Sequence, residues 1–227
     1  MILAIDTATP HGGVALVSGE KVLARALLPA GRQASVTILS AVEGLFRDAE
    51  SSVSEVSHVA VSAGPGSFTG LRVGMAAAKG FCHGLGARIV PVPTLHALAQ
   101  AYPYSGGTVC PVLDARKNEV YAGLFRWEDR LCSRLLPDAA VAPEALPDLV
   151  GGGDTLFCGD GAFSFREFLR ERLGKRALFP PEGEGRPDAG AVGLLAARLL
   201  REGTSADLRT LVPAYLRSSE AELRRRG

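Results

Sequence analysis

The chain has almost no net charge. Its 25 Lys and Arg against 24 Asp and Glu over 227 residues leave +1 at pH 7, so no global field draws it onto nucleic acid or a membrane surface. A protein acting on RNA alone would ordinarily be more basic. No apolar run approaches the ~20 residues that cross a bilayer, and no charged, apolar and cleavage-site regions follow one another at the start. No membrane association and a cytoplasmic location are therefore expected. Cysteine is sparse: Cys82, Cys110, Cys132 and Cys158 stand far apart in sequence, with no Cys-x-x-Cys pair. Four buried, reduced thiols are expected rather than disulfides, redox chemistry or metal ligation. Catalytic signatures are missing too. There is no Gly-Lys-Ser/Thr to complete a P-loop and no His-Glu-x-x-His. Gly66-Ser67 is followed by Phe68-Thr69 and so makes no Gly-x-Ser-x-Gly elbow. Proteolysis and P-loop hydrolysis have no residues to carry them. Asparagine and glutamine are scarce and arginine outnumbers lysine. This composition fits heat adaptation and equally fits GC-rich codon usage.

What is present is a core. At 47% hydrophobic residues, the chain can bury one large or two small domains. Residues 1–6, 14–18 and 22–28 read as strands, with a Ser-Gly-Glu-Lys turn at 18–21. Residues 33–49 have helical spacing, and strand 58–63, helix 67–83, strand 88–92 and a short helix 94–101 follow. The turn-rich Pro103-Tyr104-Ser105-Gly106-Gly107 is the expected boundary between halves 1–103 and 104–227. The second half begins again with strands 108–113, 119–126 and 131–135, a helix near 143–150, strand 155–158 and helix 163–173. A Gly/Glu/Pro-rich loop at 180–187 and a helix at 189–202 complete it. The order of three strands, helix, strand, helix thus occurs in each half. Two such α/β halves facing each other are the plan of the actin-like ATPases (ASKHA, ribonuclease H-like), with mixed sheets flanked by helices.

The most informative stretch is Gly64-Pro65-Gly66-Ser67-Phe68-Thr69-Gly70-Leu71-Arg72-Val73-Gly74, which joins a buried strand to a long helix. Its glycines and proline demand a tight turn. Ser67 or Thr69 can cap the helix and leave its first amides for an anion or a partner's acceptor. On the helical wheel Leu71, Met75, Ala78 and Cys82 share one side, small residues fill much of the rest, and Arg72, Lys79 and His83 form a narrow polar stripe. In the helix before it, Leu39, Val42, Leu45 and Phe46, with Ile38, Ala41 and Ala49, cover nearly half the circumference. That is wider than the stripe one sheet needs. Both helices are therefore expected to offer apolar surface to a second protein, with Arg72 and Lys79 steering association at the rim.

The glycine turn closely resembles the signature of the TsaB (YeaZ) family, a subunit of the bacterial machinery that makes threonylcarbamoyladenosine in tRNA. The opening Ile2-Leu3-Ala4-Ile5-Asp6-Thr7-Ala8, the central Asp114-Ala115-Arg116-Lys117-Asn118-Glu119-Val120-Tyr121 and the late Pro213-Ala214-Tyr215-Leu216-Arg217 resemble further family motifs in order. The resemblance implies the actin-like fold. It also implies a non-catalytic role: support for a TsaD-like transferase, together with a TsaE-like ATPase, with tRNA met only through the complex. The two helices of the first half would dock on the transferase or, in the protein alone, on a second copy as a homodimer. The signature turn is Gly64, Pro65, Gly66, Ser67, Thr69 and Gly70; the docking residues are Leu39, Val42, Leu45, Phe46, Leu71, Arg72, Met75 and Lys79.

The actin-like plan also assigns phosphate loops. Asp6-Thr7 falls where the first would lie, but Ala8-Thr9-Pro10-His11 supplies no lysine or arginine to hold phosphates. Gly159-Asp160 falls at the second, where Asp160 equally reads as the N-cap of the next helix. Both are expected to be vestigial, with no cofactor held by this chain alone and ATP conceivable only at a partner interface. The His-x-x-x-His pair of the transferase family is absent: His96 has Gln100 one turn later. No metal is therefore expected. The competing reading is a stand-alone actin-like kinase or phosphotransferase, which would need a cation in the first loop and a catalytic aspartate facing ATP. The terminal Arg224-Arg225-Arg226 reads as a solvated cationic end.

Overall fold

A computed structural model describes residues 1–28, 34–103, 106–181 and 188–216, with the side chains of 34–36 excepted. The Tyr104-Ser105 part of the expected boundary, most of the Gly/Glu/Pro loop, Arg217 and the terminal arginines lie outside the described residues.

The first sheet is ordered β3-β2-β1-β4-β5. Its strands are β1 (Ile2–Asp6), β2 (Gly13–Ser18), β3 (Lys21–Leu27), β4 (His58–Gly64) and β5 (Arg88–Pro93). β1 runs antiparallel to β2 and parallel to β4. The second sheet is ordered β10-β9-β6-β7-β8. It contains β6 (Thr108–Arg116), β7 (Glu119–Glu128), β8 (Leu131–Val141), β9 (Thr155–Cys158) and β10 (Ala177–Leu178). β6 is antiparallel to β7 and parallel to β9. Both sheets therefore use the same topology, as the repeated element order predicts. The helices are α1 (Ala34–Asp48), α2 (Phe68–Leu85), α3 (Thr94–Gln100), α4 (Leu146–Leu149), α5 (Asp160–Ser164), α6 (Arg166–Leu173) and α7 (Ala189–Arg201).

β1 and β2 are covered on both faces, and the period of two sorts their residues. Leu3, Ile5, Val14 and Leu16 pack with Ile38, Val42 and Leu45 of α1 and Met75, Ala78 and Cys82 of α2. Ile2, Ala4, Ala15 and Val17 pack with Val192, Leu195 and Ala196 of α7. α7 lies close to the sheet because Gly193 has no side chain; a Cβ there would run into Val17.

The sheets divide at the expected boundary, but the helices do not. α7, which follows the boundary, packs on the first sheet. α3, which precedes it, sends Leu95, Leu98 and Ala99 into the second half's core beside Val109, Leu113, Tyr121 and Phe125. A linear split at 103 therefore describes strand membership and not the two packed bodies. Locally, the single helix expected at 163–173 is two, broken at Phe165. β8 extends past Pro137, which an edge strand tolerates because one side of its backbone needs no partner. β10, only two residues long, had no readable period.

The joint between the halves holds His96 of α3. Arg198 of α7 donates through Nη2 to its Nε2 at 2.9 Å and through Nη1 to the Cys132 carbonyl oxygen at 3.0 Å. The same Nε2 lies 2.9 Å from that carbonyl. One nitrogen cannot accept from Arg198 and donate to Cys132 at once. The neutral, accepting ring satisfies all three groups. Burial, and next the charges of Arg198 and Arg134, push the His96 pKa down to about 4, against the Cys132 carbonyl, which would accept from the protonated ring. The unfolded chain then binds more protons than the folded one between about pH 4 and 6.5. His96 contributes stability above pH 6.5 that is lost progressively as pH falls toward 4, by at most about 3 kcal/mol. Since burial also lowers the pKa of His58, the check is differential: melting of wild type and His96→Gln from pH 7 to 4.5. Glutamine can accept from Arg198 without titrating, so the variant should show the shallower acid loss.

Candidate docking site around the glycine turn

Segments remote in sequence converge on the turn after β4. Ser67 caps α2 as expected, accepting from Gly70 N at 3.3 Å. Its own N–H donates to the Ala8 carbonyl at 2.7 Å. Thr7 Oγ1 donates to the Gly70 carbonyl at 2.7 Å, and Gly64 N donates to Thr94 Oγ1 at 3.2 Å. The spacing of the glycines follows from this crowding. A Cβ at Gly66 would sit 2.5 Å from the Ala8 carbonyl, and one at Gly70 would collide with the Thr7 carbonyl. Gly64, at φ 124°, lies under the Ala214 carbonyl. The turn grips its own chain where the sequence suggested free amides.

The two turns read as phosphate loops are closed in the same way. Asp6 is 1% exposed and Thr7 is buried. Asp6 Oδ1 accepts from Ala8 N at 3.0 Å. Burial, opposed by that bond and by nearby Ser62, raises its pKa, and Asp188 adds repulsion. Gly12 is tight against the Asp6 carbonyl. At the second loop, Asp160 is the first residue of α5 and not its cap. Its Oδ1 accepts from Asp114 N at 3.2 Å and from Gly161 N at 2.9 Å. Gly159, at φ 95°, is wedged against the Val112 carbonyl. These residues do not fit a magnesium-nucleotide site: one carboxylate faces the interior, the other is spent on backbone, and residues 6–13 hold no cation. Among the described residues no group of three or more His, Cys, Asp or Glu could hold a metal ion, and no helix is long and apolar enough to cross a membrane. The four cysteines are buried and free. Burial pushes Cys110 and Cys132 up to about 12, so both stay thiols.

The expected docking residues separate into two groups. Leu39 of α1 is 57% exposed and Phe46 half-buried. Val42, Leu45, Leu71 and Met75 are buried in the chain itself, which corrects their assignment to a partner surface. α1 and α2 pack on the sheet and on each other, so more than one side of each is consumed. Arg72 does not stand free at a rim either. Its Nε donates to the Tyr215 hydroxyl at 3.0 Å and its guanidinium lies 3.8 Å over the Phe68 ring, while Lys79 is within electrostatic reach of Asp207. The Arg72 end of the polar stripe seats the chain's own C-terminal segment.

What remains open on this face was only half visible in the sequence. Among the described residues, no other segment comes within 4 Å of where a Cβ would be at Gly80 and Gly84 of α2 or at Gly44 of α1. Unlike Gly64, Gly66 and Gly70, they therefore answer to no described neighbour, yet a glycine inside a helix costs about 1 kcal/mol relative to alanine. Ala76, Gly80 and Gly84 are exposed along α2, and Leu39 is exposed on α1.

The family model for TsaD, tRNA N6-adenosine threonylcarbamoyltransferase, matches residues 28–225. The Bacillus subtilis tRNA threonylcarbamoyladenosine biosynthesis protein TsaB is 30% identical over 97% of this chain and 96% of its own length. The solved structure of YeaZ from Pseudomonas aeruginosa superposes with a TM-score of 0.78 at 27% identity, covering 95% of this chain and 99% of that one. An activator of 2-hydroxyisocaproyl-CoA dehydratase from Clostridium difficile, at TM-score 0.53 and 10% identity over 91% of this chain and 98% of its own, shares the fold alone. The chain has the actin-like fold and belongs to the TsaB (YeaZ) family, within the wider group that the transferase model describes.

Proposed function

We propose that this chain is a non-catalytic subunit of the cytoplasmic assembly that transfers a threonylcarbamoyl group to the adenosine next to the anticodon of ANN-decoding tRNAs. It supports a TsaD-like transferase by docking the α1–α2 face on it, with a TsaE-like ATPase completing the assembly and tRNA met only through the complex. Alone, the same face pairs two copies, and that contact is exchanged for the transferase. Any ATP in this scheme sits where a partner completes the site. The observation that carries the reading is the pair of open helix glycines, Gly80 and Gly84. Their cost is repaid only if another backbone comes close.

The test is reconstitution with the transferase and ATPase of the same organism and unmodified tRNA. Modified nucleoside should form with this chain present and stay at background without it. The chain alone should form none and should sediment as a dimer at micromolar concentration. Unchanged modification without the chain would overturn the reading. So would ATP turnover of ~1 per second by the pure protein, the range of an ordinary enzyme, if Asp6→Ala abolished it.

A further inference from the structure

Beyond α7 the chain runs from 203 to 216 without helix or strand, yet it is tied down along its length. Thr204 N donates back to the Leu199 carbonyl at 2.8 Å. Ala206, Leu208 and Leu211 pack against the core that α1 and α2 line. Ala214 N donates to the Ala63 carbonyl at 2.7 Å, at the end of β4. The Tyr215 ring lies 4.9 Å from the Phe68 ring and its hydroxyl accepts from Arg72. Asp207 feels the charge of Lys79, whereas Tyr215 meets Phe68 and Arg72. The strap therefore runs back toward the start of α2 and seats there on Phe68 and Arg72, one turn apart on one helix face. Gly64 is the place where it crosses: a side chain there would strike Ala214. The glycine turn and the late Pro213-Ala214-Tyr215 motif are thus two halves of one contact.

We infer that this strap is a positioning element for docking, and that Tyr215, through Arg72 and Phe68, fixes the first turns of α2 in the pose a partner meets. This rests on the proposed docking of the α1–α2 face. Two facts favour positioning over bulk stability. The clamp is at the surface, where Arg72 is exposed and would regain water if released. It also grips α2 at its start, where the cap at Ser67 is a single bond of 3.3 Å. An arginine held both by a hydroxyl and over a ring has one orientation, and so does the helix turn that bears it.

The test uses the full chain, wild type against Tyr215→Phe and Tyr215→Ala. Tyr215→Phe keeps the ring on Phe68 and removes only the acceptor. The readouts are hydrogen exchange of amides 68–74, binding to the transferase subunit of the same organism, and melting. Tyr215→Ala should speed local exchange and weaken binding about tenfold, the effect of one charge-assisted hydrogen bond. Tyr215→Phe should fall between, with its melting temperature unchanged. Tighter binding by Tyr215→Ala would overturn the inference, because the strap would then be a competitor for the face. So would unaltered exchange and binding in both variants, or binding losses that merely follow the melting temperature. If wild type does not bind the transferase at all, the docking reading fails. The exchange data then judge the clamp by themselves: altered exchange supports it and unaltered exchange overturns it.

Discussion

Replacing Gly70 by alanine should cost the fold about 3 kcal/mol or more, the upper range of overpacking, whereas the same replacement at Gly80 in the same helix should stabilise it by about 1 kcal/mol. The difference lies in what each glycine faces. At Gly70 the new methyl would drive into the Thr7 carbonyl. That carbonyl cannot step aside, because Thr7 is buried and its hydroxyl is bonded to the Gly70 carbonyl. The collision therefore forces β1's loop and α2 apart and breaks that bond, and the Ala8–Ser67 bond beside it is strained. At Gly80 the methyl enters open space and the helix gains alanine's lower conformational entropy cost. For a chain of this size 1 kcal/mol moves the melting temperature by roughly 2–4 °C, so Gly70→Ala should melt roughly 6–12 °C lower and Gly80→Ala roughly 2–4 °C higher. Equal effects would mean that the glycines serve a common helix requirement and not two separate faces.

The central strands β1, β2, β4 and β6 were legible because burial on both faces leaves apolar runs, and the helices of the first half because their spacing is unbroken. The repeat of topology followed from element order alone. Other features required information that local sequence does not hold. Val42, Leu45, Leu71 and Met75 were read as available to a partner because a helical wheel counts apolar residues without knowing how many surfaces the same chain will lay against them. Arg72 was read as a rim charge because its acceptor, Tyr215, is far away in sequence and sits in a segment with no periodicity. Gly64 and Gly80 look alike in sequence, and only the strap crossing one and the empty space above the other separate them. The phosphate loops showed the reverse pattern. The missing cation near Asp6 was visible from composition, while the burial of Asp6 came only with the fold.

The sharpest expected loss of function comes from Gly80→Leu. Among the described residues no other segment of the chain comes within 4 Å of a Cβ there, and leucine is a far better helix former than glycine. The variant should fold and melt no lower than wild type. Across an interface the outcome inverts. A helix face of Ala76, Gly80 and Gly84 lets a partner backbone approach closely, and a leucine holds that backbone away and opens a gap in the apolar contacts around it. On the proposed docking, binding to the transferase subunit should weaken by more than ~100-fold, about 3 kcal/mol, and the proposed dimer of the chain alone should dissociate with it. Sedimentation and a binding titration, with melting curves alongside, separate the possibilities. Loss of both contacts in a fully folded variant is the expected result. Loss of the dimer with transferase binding intact would show that the two partners use different faces, so that one does not exchange for the other. Binding unchanged in both, confirmed with Leu39→Asp on the neighbouring helix, would remove the α1–α2 face from the docking surface and leave its open glycines without a purpose.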